Sequence, residues 1–103
     1  MPIFLLQYDI RKTHINNNIA GVSSSDIYNF VGNQLQARNW QRYQRSNWRK
    51  NTATTWITNR LQVQNICAAA EALCGLPARP ADPNHIFHAV DLQEQSRGRV
   101  IRP

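Results

Sequence analysis

Val63, Ile66, Cys67, Ala70, Leu73 and Cys74 fall at i, i+3, i+4, i+7, i+10 and i+11, the spacing of one face of an α-helix. Ile57 and Leu61 carry the stripe one turn earlier, and Gly75 and Pro77 are the punctuation that ends a helix. A stripe of this length has to be buried. Each Leu, Ile or Val in it contributes about 1.5–3 kcal/mol on burial, so a charge at Ile66 is expected to unfold the chain. With 103 residues, one domain can form around such a helix but not two.

The remaining elements follow from period and punctuation. Ile3 to Asp9 is a short apolar run ending on a carboxylate, read as a central strand buried on both faces. From Ile10 to Val22 the chain is polar and asparagine-rich, and reads as a long loop. Ser23, Ser24, Ser25 and Asp26 supply a helix start; Ile27, Phe30, Val31 and Leu35 then give a helix over 24–38. Trp40 to Asn51 fits two short strands joined near Arg45 and Ser46. Thr52 to Thr55 suits either strand or helix cap. After a connector with Pro80 and Pro83, His85 to Leu92 reads as the last strand. Residues 93–103 form a basic polar tail in which Arg99 to Arg102 can add a short edge strand. The order β, α, β, β, α, β predicts a single α+β domain over 1–103, ferredoxin-like, with two helices on one face of an antiparallel sheet.

Charge gives the first functional indication. Twelve Lys and Arg stand against six Asp and Glu, for a net charge of +6 and a pI near 10.2. No acid lies between Asp26 and Glu71, a stretch that holds Arg38, Arg42, Arg45, Arg49, Lys50 and Arg60. Arginine's planar fork suits phosphate and its face can stack on bases, so the segment points to a polyanion; a solvated surface is the plainer alternative. Trp40, Trp48 and Trp56 recur every eight residues within it. Interleaved aromatics can stack on unpaired bases, but Trp48 and Trp56 read better as core. No apolar run approaches the roughly 20 residues of a membrane span, and no signal-peptide order is present, so the expected setting is cytoplasmic. Cys67 and Cys74, seven residues apart, would sit about 10 Å apart along one helix, past the roughly 7 Å disulfide limit. They read as reduced core residues.

Asp9 is the candidate for chemistry. A carboxylate where a strand leaves the sheet can hold a hard divalent cation, and the cation can polarise a phosphodiester; an Asx-type turn is the structural alternative. One carboxylate is a sparse donor set, which a two-fold homodimer would double. His14, in the polar loop, is a possible acid or base near Asp9, and more commonly such a histidine is solvated. His85 and His88 straddle the last strand in edge or partly buried roles.

Tyr8-Asp9-Ile10 closing an apolar strand, a helix, Arg42-Tyr43-Gln44-Arg45-Ser46-Asn47-Trp48, a second helix and a closing strand together resemble the virulence-associated protein D family and, more distantly, CRISPR-associated protein two. In both families the first strand ends on an acid. The segment after the first helix reads Gln, any residue, Ser, apolar, aromatic, matched by Gln44, Ser46 and Trp48. Ile86-Phe87-His88-Ala89-Val90 resembles the family's Asp-Ile-Arg-Ala-Phe strand. The chain departs from the pattern at Arg45, Asn47, His85 and His88. The resemblance implies a dimeric ferredoxin-like endoribonuclease, often a toxin beside an antitoxin, with Asp9 as catalytic or metal-binding acid and Ser46 beside it.

These readings combine into one expectation. A homodimer cleaves RNA with Mg²⁺ held by paired Asp9 carboxylates, while Arg11, Lys12, Arg42, Arg45, Arg49 and Lys50 hold the nucleic-acid backbone. The alternative is a catalytically silent scaffold that binds RNA or DNA. An acidic antitoxin protein is a further expected partner.

Overall fold

The computed structural model describes residues 3–44, 47–50, 54–77, 85–94 and 97–102. The chain runs β1 (Phe4–Ile10), α1 (Lys12–Asn18), α2 (Ser24–Gln36), β2 (Gln41–Gln44), β3 (Asn47–Lys50), α3 (Trp56–Leu73), β4 (Phe87–Glu94) and β5 (Arg97–Arg102). All strand pairings are antiparallel, and the sheet order is β2-β3-β1-β4-β5. Among the described residues the fold is therefore mixed α+β, an antiparallel sheet with three helices. No helix among the described residues is long and apolar enough to cross a membrane.

β1 alternates strictly between buried and exposed. Phe4, Leu6, Tyr8 and Ile10 point into the core, while Leu5, Gln7 and Asp9 point away from it. The expectation of a strand buried on both faces is thus corrected: successive side chains alternate between faces, and helices cover only one. A single core gathers Leu6 and Tyr8 of β1, Val31 and Leu35 of α2, Val63, Ile66 and Cys67 of α3, and Phe87 and Val90 of β4. Trp40 and Trp48 are both fully enclosed there, and Trp56 packs against the rim.

α2 starts where the serines predict. Ser23 Oγ accepts from Asp26 N at 3.2 Å while Ser23 N donates to Asp26 Oδ2 at 2.9 Å, a reciprocal capping box. Thr55 caps α3 by accepting from Thr58 N. At its other end Leu76 N donates to Glu71 O and Gly75 N to Ala72 O, with Gly75 at φ +74°, a Schellman turn whose left-handed residue favours glycine.

Three differences have physical causes. α1 forms inside the stretch expected to be loop. Its sequence is polar, and its one buried residue is Ile15, so tertiary packing rather than propensity holds it. Asn16 Oδ1 then accepts from Ser24 N at 2.8 Å, tying α1 to the start of α2. The second difference is in α3. Val63, Ile66, Cys67 and Ala70 are buried as expected, but Ile57, Leu61 and Leu73 are exposed, and Asn59 and Glu71 take the inward positions. At about 100° per residue, Leu61 lies roughly 160° around the helix from Val63, too far to share its face. Last, β5 begins at Arg97, earlier than the Arg99 edge expected.

Candidate active site

Asp9 is exposed on the open face of the sheet, one residue before β1 ends. The pairing with β4 shifts here. Asp9 faces Ala89, but Ile10 faces Phe87, so His88 is an extra residue bulged out of the ladder. Its side chain is exposed. Two residues back, Gln7 pairs with Asp91, which makes Asp91 the diagonal neighbour of Asp9 on the same face. Such diagonal neighbours lie about 7–8 Å apart, their Cβ atoms somewhat closer. Arg11 fastens the far side of the bulge, its backbone N donating to Ile86 O at 2.8 Å and its Nη1 to His85 O at 2.9 Å. Asp9 and the bulged His88 thus stand at one end of the β1–β4 ladder, braced by the Arg11 guanidinium, while Asp91 lies on the same face nearer the ladder's middle.

The chemistry of this set is that of hard oxygen donors next to a group able to carry a proton. Mg²⁺ is typically held by one or two carboxylates with waters and substrate phosphates completing its shell, and Asp9 with Asp91 fits that donor set. No group of three or more His, Cys, Asp or Glu able to hold a metal occurs among the described residues.

The predicted cations divide between the two sides of the sheet. Arg49 is exposed on the open face, in a row with Leu5 and Gln41. Lys12 is exposed at the first position of α1, and Arg11 is half-buried. Arg42 lies on the helix side, where it pairs in register with Trp48 and sets its guanidinium 4.8 Å from that ring. It reaches so close to α2 that a Cβ on Gly32 would stand 2.8 Å from Arg42 Nη2.

Lys50 corrects the expectation for a phosphate-binding surface residue, because it is 2% exposed. Its Nζ donates to Asn59 Oδ1 and Gln62 Oε1, each at 3.1 Å, and sits 5.6 Å from the Trp40 ring. Burial, with a smaller push from Arg38, lowers its pKa. An ammonium so enclosed cannot reach a polymer's phosphates. Arg45 and Ser46 lie outside the described residues.

His88 and Asp91 gain their place from strand register, which sequence period alone does not fix. The available signal was Asp91 two residues after Ala89, at strand spacing. Cys67 is buried and Cys74 half-buried, and neither is in a disulfide; burial, then the neighbouring Glu71, raises the Cys74 pKa. No protein-family model, no curated protein and no solved structure matches this chain.

Proposed function

We propose that this chain is a metal-assisted endoribonuclease of the virulence-associated protein D type, acting as a homodimer in the cytoplasm. The observation that carries the reading is the exposed Asp9 at the β1–β4 bulge, with Asp91 diagonal to it and His88 beside it. Asp9 and Asp91 would hold Mg²⁺, which would supply Lewis-acid polarisation of the scissile phosphodiester. His88, exposed at the bulge, would give or take a proton beside that centre. Arg49, Lys12 and Arg11 draw the RNA backbone to the open face. Ser46 keeps its role beside the site on the strength of the resemblance.

We read the fold as ferredoxin-like, supported by the β2-β3-β1-β4 run with helices between β1 and β2 and between β3 and β4. Pairing of two open faces brings a second Asp9 into the site, and an acidic antitoxin is the protein partner that a +6 chain would attract. The test is cleavage of a defined RNA by the wild type and Asp9→Asn, with and without chelator. Loss of cutting in both the variant and the chelated wild type is expected; equal cutting by both proteins overturns the reading. The absence of a three-donor metal group among the described residues favours, as the second reading, a silent nucleic-acid scaffold. That scaffold would bind RNA or DNA with steep salt dependence and never turn over.

A further inference from the structure

α3 carries no useful charge in a strongly basic chain. Between Trp56 and Leu73 there is one cation, Arg60, and one acid, Glu71, and Glu71 is buried. The helix is net neutral while the chain carries +6. Its outward face is also apolar where a solvated helix is normally polar: Ile57 is 62% exposed, Leu61 48% and Leu73 47%. The exposed positions are 57, 58, 61, 65, 69, 72 and 73. They are symmetric about Asn65, since 57 and 73, 58 and 72, and 61 and 69 each stand equally far from it.

We propose that this face is a self-association seam, in which α3 of a second copy packs antiparallel across a two-fold axis passing beside Asn65. On that axis Leu61 meets Ala69 of the other copy, a large side chain against a small one, and Thr58 meets Ala72. Ile57 and Leu73 flank the contact. Asn65 meets its own equivalent, and because an amide carries both donor and acceptor, two copies satisfy each other. A buried asparagine at the centre of a helical seam is a known device for fixing register. A lipid surface or a foreign apolar groove would leave that amide unpaired, at a cost, and a generic surface of a +6 chain would repel its copy. A second copy of this chain is therefore the occupant that the face fits. The seam lies on the helical layer and Asp9 on the opposite side of the sheet, so one chain can use both faces at once, and the seam does not depend on the nuclease reading.

The experiment is site-specific cross-linking of the full chain in a Cys74→Ser background, which leaves only the buried Cys67. Under mild oxidant, Asn65→Cys alone is expected to give a disulfide-linked dimer. Leu61→Cys mixed with Ala69→Cys is expected to give a mixed dimer, with Leu61→Cys alone giving little. Adding Leu61→Glu to the Asn65→Cys chain should weaken association about a hundredfold, roughly tenfold for each Leu61 removed from the seam, with helical circular dichroism unchanged. An uncross-linked Asn65→Cys chain of normal circular dichroism overturns the seam and assigns the face to another partner. Efficient self-linking through Leu61→Cys alone overturns the antiparallel register. RNA cleavage that survives Leu61→Glu leaves the nuclease reading intact whichever way the cross-linking falls.

Discussion

Two buried polar residues show how this chain couples stability to pH. The Tyr8 hydroxyl is enclosed without a well-formed hydrogen bond, and burial pushes its pKa up to about 12, only partly offset by the nearby Trp48 indole and Arg42. The folded state thus holds this proton more tightly than the unfolded chain does. The associated stability is intact below about pH 10 and is lost between 10 and 12, amounting to about 2–3 kcal/mol. Tyr8→Phe should flatten that loss in urea titrations, and one of the three tyrosines should ionise late by ultraviolet absorbance. Lys50 has the opposite sign. Its folded pKa is lowered, so the unfolded chain binds the extra proton, and stability should rise with pH from the folded value up to about 10.5. The same burial makes a functional prediction. Arg49→Ala should reduce the salt slope of RNA binding by about 0.7, one single-strand phosphate contact, whereas Lys50→Met, if folded by circular dichroism, should leave the slope unchanged.

At the scale of elements, the helices divide by how their ends and faces are specified. α2 was legible because Ser23 and Asp26 announce its start and Ile27, Val31 and Leu35 its face. Ser23→Ala should cost about 1 kcal/mol in chemical denaturation, the usual value of a lost N-cap. α1 was not legible, since one isoleucine among polar residues has no period. Ile15 is fully buried, and Ile15→Ala should cost about 2–5 kcal/mol and loosen the segment in hydrogen exchange. α3 was half legible. Its existence and C-terminal stop followed from spacing, but its inward face did not, because apolar residues occur all around it and only packing selects Val63, Ile66 and Cys67 over Ile57 and Leu61.

For the whole molecule, the decisive event is the meeting of β1 and β4, whose Cα partners lie roughly eighty residues apart. That register sets Asp91 diagonal to Asp9, and its bulge leaves His88 exposed beside it, which is the set of groups the proposed site uses. Asp91→Asn should therefore weaken Mn²⁺ binding, followed by electron paramagnetic resonance, about as much as Asp9→Asn does; no change would remove Asp91 from the site. The order of the strands and of the two long helices, the capped start of α2, the β2–β3 hairpin and the basic character could be read without a structure, because they depend on local spacing, local hydrogen bonds and summed charge. Packing chose the inward face of α3, left β1 buried on one side only, put Lys50 in the interior and set which polar groups share the open face with Asp9. Those outcomes depend on register and packing between segments distant in the chain, where a shift of one residue moves every side chain of a strand to the opposite face.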